Sequence, residues 1–181
     1  MADILPVYAS SYIGKGQFLA EKLVKVFTEQ GKTLALAESC TAGMTADLIA
    51  RIPGASLVLW GSFVCYTNNA KHKMLGISEQ LIQSKGAVSP EIAVSMAEAA
   101  LELSRASFTV SVTGLAGPSG DGINPVGTVF MGTALMDKGT VFSHVNGYLF
   151  MQENGILDRN HIREAASVLL ISEILKKAGN F

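Results

Sequence analysis

Charge is scarce in this sequence. Charged residues make up 16% of 181 residues against 49% hydrophobic, and Lys+Arg 14 nearly balances Asp+Glu 15. So neutral a chain lacks the electrostatic footprint of a general nucleic-acid binder. It is also too apolar for disorder, although a local basic site for one phosphate stays open. Cysteine is rare: Cys40 and Cys65 make no disulfide framework and point to a reducing compartment. Histidine is sparse and shows no metal-ligand spacing. His72, His144 and His161 lie apart from one another and from both cysteines, so no metal and no other cofactor is expected. Long apolar runs are missing as well. Ser56-Leu57-Val58-Leu59-Trp60 stops far short of the roughly 20 residues that span a bilayer. The first residues have no basic n-region and no sustained apolar stretch, so a signal peptide is not expected. The expectation is one soluble, cytoplasmic domain with no membrane or nucleic-acid partner.

What is present is an alternation of helical and strand patterns. Residues 1–14 show no clear period and read as an arm that packs or swaps onto a neighbour. From Gln17, Leu19, Leu23 and Val26/Phe27 recur at helical spacing up to Gly31. Leu34-Ala35-Leu36-Ala37 is a buried-strand run, and a small-residue turn, Glu38 to Gly43, leads into a helical stripe of Met44, Leu48 and Ile52. Ser56 to Thr67 reads as a long strand, or a bent pair with Gly61 at the bend, and Asn69 to Leu75 as a short helix. Ser89-Pro90-Glu91 starts a helix whose inner face is Ile92, Met96, Ala100 and Leu103. Phe108 to Val112 is a strand that runs into a glycine-rich loop, Thr113 to Gly122. Val126 to Met136 and Thr140 to Phe150 form a hairpin across Asp137-Lys138-Gly139, and Arg159 to Lys177 is the last helix. This order predicts a mixed sheet with helices on both faces.

Three segments carry chemistry. Ser39-Cys40-Thr41-Ala42-Gly43 joins a buried strand to a helix, where free backbone N–H groups can serve a nucleophile or an anion. Its alternative reading is a simple helix cap by Ser39 or Thr41. Tyr66 ends the apolar run, and Lys71 follows on a short helix. A lysine buried in an apolar pocket loses its proton more easily and can act as base for a serine; an exposed lysine does nothing of the kind. The loop Thr113 to Gly122 follows a strand, where open α/β sheets bind ligands, and its glycines admit close approach. It matches neither the dinucleotide nor the Walker pattern, and a plain surface turn is its other reading.

Together these segments resemble a known family. Ala37-Glu38-Ser39-Cys40-Thr41-Ala42-Gly43, Pro53-Gly54-Ala55-Ser56, Val64-Cys65-Tyr66-Thr67-Asn68-Asn69-Ala70-Lys71 and Leu75-Gly76-Ile77 resemble the C-terminal domain of the competence/damage-inducible protein CinA. So do Gly86-Ala87-Val88-Ser89, Val112-Thr113-Gly114-Leu115-Ala116-Gly117-Pro118 and Pro125-Val126-Gly127-Thr128-Val129, all in collinear order. The resemblance implies a standalone domain over 17–181, behind an arm of residues 1–16, with a three-layer α/β/α fold around a mixed sheet. It implies a nicotinamide mononucleotide (NMN) amidohydrolase that releases ammonia and yields nicotinate mononucleotide in pyridine nucleotide recycling. By resemblance Ser39 is the nucleophile, Lys71 the base and Tyr66 their partner. Glu38, Cys40, Thr41, Ala42, Gly43, Thr113, Gly114, Ala116 and Gly117 would bind substrate. Arg159 and Arg163 would hold phosphate or else line a solvated helix face.

The sequence departs from the family pattern at several positions. Ala42 stands where a glycine is usual, Gly61-Ser62 replaces Gly-Gly, and Thr67 replaces a serine. Asn124 stands at the usual lysine and Asp121 at a usual glycine, which removes a cation from beside an anionic substrate. A family member that binds a nucleotide without hydrolysing it, or an interaction module that recruits a partner through its arm, is the alternative. A homodimer or higher homo-oligomer is expected, as is common for small domains.

Overall fold

The computed structural model describes residues 3–151 and 158–178; the outer ends of the expected arm and domain, residues 1–2 and 179–181, lie outside the described residues. Six strands form one mixed sheet in the order β1-β6-β5-β4-β2-β3. In chain order they are β1 (Ile4–Tyr8), β2 (Leu34–Glu38), β3 (Leu59–Val64), β4 (Phe108–Gly114), β5 (Thr128–Asp137) and β6 (Thr140–Met151). The helices are α1 (Gly16–Glu29), α2 (Met44–Ala50), α3 (Asn68–Leu75), α4 (Glu79–Lys85), α5 (Pro90–Ser104) and α6 (Arg159–Ala178). No helix among the described residues is long and apolar enough to cross a membrane.

Strand β2 organises the fold. Every residue of Leu34-Ala35-Leu36-Ala37-Glu38 is buried, because β3 and β4 flank it in parallel and helices cover both faces. Side chains alternate across a strand. Leu34 and Leu36 join the larger core beneath α1, α2 and α6, and Ala37 joins the smaller core beneath α3, α4 and α5. Strands β2, β3 and β4 run the same way, so their C-terminal ends, Glu38, Val64 and Gly114, meet at one edge of the sheet. That crevice is where open α/β sheets place ligands.

The element boundaries follow local chemistry. Ser89 caps α5 by accepting from the Ile92 N–H, with Pro90 in the first turn. Thr67 caps α3 through the Ala70 N–H. Lys138 and Gly139 both take positive φ, the two-residue turn that suits a twisted hairpin, and Asp137 pairs with Thr140.

Four expectations need correcting. Residues 4–8, expected as an arm without regular structure, form a strand that pairs in parallel with β6 of the same chain, and Ala9 enters the core. The apolar stretch from Ser56 to Thr67 is not one long strand, because Ala55–Leu57 is a 3-10 turn and only Leu59–Val64 is extended. Its bend does fall beside Gly61, where the β2–β3 register shifts. Leu103 is exposed, and the inner face of α5 is completed by Ala93, Ala97 and Leu101 instead. Helix α4 was not anticipated; Ser78 caps it through the Leu81 N–H.

Helix α5 is fastened by hydroxyls as well as by apolar packing. Along β4, Thr109 donates to Ala97 O, Ser111 to Ala93 O and Thr113 to Ala87 O. Two of those carbonyls lie on α5, which therefore comes so close to β5 that only glycine fits at 132. A Cβ at Gly132 would strike Ala93 O and lie 2.6 Å from Ser111 Oγ. Gly132→Ala is expected to destabilise the protein by about 2 kcal/mol or more in urea unfolding, since the obstacle is helix backbone.

Candidate active site

Ser39 is the first residue after β2, and its N–H donates to Val112 O of β4. Lys71 is on the second turn of α3, which enters directly from the end of β3. The two meet: Lys71 Nζ lies 2.8 Å from Ser39 Oγ and also donates to Cys65 O at 3.2 Å. Both side chains are buried, Lys71 at 2% exposure and Ser39 at 6%. Lys71 forms no ion pair with a carboxylate among the described residues. Burial lowers its pKa below the ordinary 10.5, with the two nearby cysteines opposing. A neutral amine here can donate to Cys65 O and accept from the Ser39 hydroxyl in the same geometry.

Cys40 is poorly placed to compete as nucleophile. Burial, reinforced by the Glu38 charge and opposed by Lys71, pushes its thiol up to about 12, so the thiolate is absent at neutral pH. Burial likewise raises Cys65 to about 11.

These residues line a cleft of about 230 Å³. The sequence-derived residues it brings together are Ser39, Cys40, Tyr66, Lys71, Thr113, Gly114, Ala116, Gly117 and Arg159. Asn68, Leu115 and Ser119, inside the candidate segments, complete the wall with Ala87 and Val88, which sequence reasoning missed. Arg159 closes the mouth by donating to Tyr66 Oη and to Gly117 O. Tyr66 is thus held by Arg159, at the rim, and not by Ser39 or Lys71.

Five expected substrate contacts stand outside the cleft wall. Arg163 donates to Thr41 O at 3.1 Å and to Asn160, so it fastens α6 to the turn. Thr41, Ala42 and Gly43 turn into α2, and the Ala42 and Met44 N–H groups are already used by Ser39 O and Thr41 O. The Cys40 and Thr41 N–H groups have no carbonyl acceptor among the described residues. Glu38 is wholly buried and accepts from Thr41, Thr45, Ala46 and Ser62. Neither Ser39 nor Thr41 caps α2: the Glu38 carboxylate does, and it fills the anion position expected there for a ligand.

Two of the departures from the family pattern turn out to be partners. The Asp121 carboxylate accepts from the Ile123 and Asn124 N–H groups and from Asn124 Nδ2, which also donates to Val88 O in the cleft wall. Among the described residues no group of three or more His, Cys, Asp or Glu side chains could hold a metal ion.

The fold and site define an α/β protein with a buried Ser–Lys pair at the strand ends. The family model described as the CinA C-terminal domain matches residues 16–176. A CinA-like protein of Thermotoga maritima is 38% identical over 87% of this chain and 36% of its own length. One from Geobacter metallireducens is 40% identical over 86% of this chain and 36% of its own. The chain thus spans little more than a third of these relatives. Among solved structures, a competence/damage inducible protein from Agrobacterium tumefaciens is 37% identical, with a TM-score of 0.79 over 91% of this chain and 96% of that one. A CinA superfamily protein from Klebsiella pneumoniae, 22% identical, shares the fold at a TM-score of 0.80, covering 92% of this chain and 99% of that one. The chain belongs to the CinA C-terminal domain family.

Two stability effects follow from the site. Ala42 sits at φ 52, a left-handed conformation that costs a non-glycine residue about 1–2 kcal/mol. Ala42→Gly gives up part of that gain to the greater freedom of the unfolded chain. It should still stabilise the protein by roughly 0.5–1 kcal/mol in urea unfolding. Because the folded-state pKa of Lys71 is depressed, wild-type stability falls as pH drops from 10.5 toward that folded value. Lys71→Met should flatten this part of the stability–pH curve and be at least as stable as wild type at pH 7 in the same assay.

Proposed function

We propose that the protein is a hydrolase that releases ammonia from a carboxamide, with NMN as the substrate. The observation that carries this reading is the buried 2.8 Å contact between Lys71 Nζ and Ser39 Oγ. Amide hydrolysis needs an activated nucleophile, a proton carrier for the leaving ammonia and donors for the oxyanion. Neutral Lys71 takes the hydroxyl proton as Ser39 Oγ attacks the carboxamide carbon. The Cys40 and Thr41 N–H groups, which face the Cys40 thiol and have no carbonyl acceptor among the described residues, are the candidate oxyanion donors. Lys71 then returns the proton to the departing nitrogen, and water, activated by the same amine, hydrolyses the acyl-serine to the carboxylate.

The choice of NMN rests on the family resemblance and on two features of the cleft. Its volume of about 230 Å³ suits a single aromatic carboxamide ring. Arg159 at the rim offers a guanidinium to an anionic tail that extends outward. Tyr66 lies beside Arg159 and would bind or orient substrate at the mouth.

Purified protein is expected to release ammonia from NMN. Ser39→Ala should abolish turnover and keep the fold. Lys71→Arg should fail as fully as Lys71→Met, because arginine stays protonated. Cys40→Ala should keep most activity. Turnover should rise with pH as Lys71 loses its proton, with the midpoint below 10.5. Wild-type turnover by Ser39→Ala, or a folded Cys40→Ala protein with none, would overturn these assignments.

A further inference from the structure

We propose that Glu38 is a positioning residue that sets the place of both Ser39 and Lys71, and that it does not bind substrate. This rests on the reading of Ser39 as nucleophile. Glu38 ends β2, so its side chain points to the α2 face while Ser39, one residue on, turns toward Lys71. A wholly buried carboxylate with no cationic partner among the described residues needs several donors to offset its lost hydration. Four are present. Oε1 accepts from the Ala46 N–H at 3.0 Å and from Ser62 Oγ at 3.1 Å. Oε2 accepts from Thr41 Oγ1 at 2.7 Å and from the Thr45 N–H at 3.1 Å. The side chain therefore ties the nucleophile turn to the start of α2 and to strand β3.

The main chain of the same residue reaches the base. Glu38 O accepts from the Cys65 N–H at 2.9 Å and lies 3.7 Å from Cys65 Sγ. The carbonyl of Cys65 in turn accepts from Lys71 Nζ. Serine and lysine are thus both registered against one residue, through its side chain on one side and its backbone on the other.

Glu38→Gln tests this with almost no change in shape. Each oxygen of Glu38 accepts one backbone N–H and one hydroxyl, so either orientation of the amide sets an NH₂ group against a backbone donor. The expected result with NMN is a fall in kcat of at least about tenfold with KM changed less than about twofold, as displacement of the reacting group requires. A raised KM at unchanged kcat would make Glu38 a substrate ligand and overturn the proposal. So would a lower melting temperature with kcat of the folded protein unchanged. Should Glu38→Gln fail to fold, Ser62→Ala removes one donor without opposing two others. It should lower kcat several-fold at constant KM, and an unchanged kcat there would equally overturn the proposal. The rate of Ser39 labelling by a fluorophosphonate, in which Oγ displaces fluoride at phosphorus, needs no amide substrate. Labelling of wild type without ammonia release would refute the NMN reading alone. Equal labelling rates for wild type and Glu38→Gln would refute the positioning role alone.

Discussion

The buried contact between an amine and a hydroxyl, Lys71 to Ser39, is the constraint around which the rest is arranged. An ammonium in that place would lose most of its hydration with no carboxylate among the described residues to offset the loss. Burial lowers the Lys71 pKa and so shifts it toward the neutral amine, the form that the proposed mechanism needs in a base for Ser39. In the proposed mechanism the same burial that makes Lys71 costly for stability suits it to proton transfer, an opposition found at functional sites. The cysteines behave in the opposite sense. Cys40 is held protonated by the dry surroundings and the nearby carboxylate, and the proposed mechanism therefore uses the Ser39 hydroxyl.

Topology supplies the meeting. Parallel β2, β3 and β4 end at one edge, so the turn after β2, the helix after β3 and the loop after β4 close on one small cleft. Helix α6 returns across that edge and braces it. Arg159 reaches Tyr66 and the glycine loop, and Arg163, one turn on, reaches the carbonyl of Thr41. The three walls of the cleft are thereby joined to one rigid helix.

Much of this was legible in the residues, and the failures have physical causes. The run Leu34 to Ala37 read as a buried strand because burial on both faces erases alternation. The hairpin declared itself through Lys138-Gly139 between apolar runs. Strand β1 did not, because an edge strand of five mostly exposed residues carries no burial pattern. The Ser56 to Thr67 run overstated β3, since apolar residues also occupy the 3-10 turn before it. The bonds of Glu38 to the Thr45 and Ala46 N–H groups had a signal in the sequence, an acid that closes an all-apolar strand just before a helix. The contact of Lys71 with Ser39, 32 residues apart, follows from strand order and not from spacing.

To serve as base for Ser39, Lys71 must be neutral in the folded protein under conditions where an ordinary lysine is charged. The most direct measurement is an NMR titration of the Lys71 Cε resonance in protein carrying ¹³C-labelled lysine, assigned by its loss in Lys71→Met. The expected midpoint lies clearly below the 10.5 of an unperturbed lysine. A midpoint at or above that value would make Lys71 a fixed cation and contradict its role as the base for Ser39.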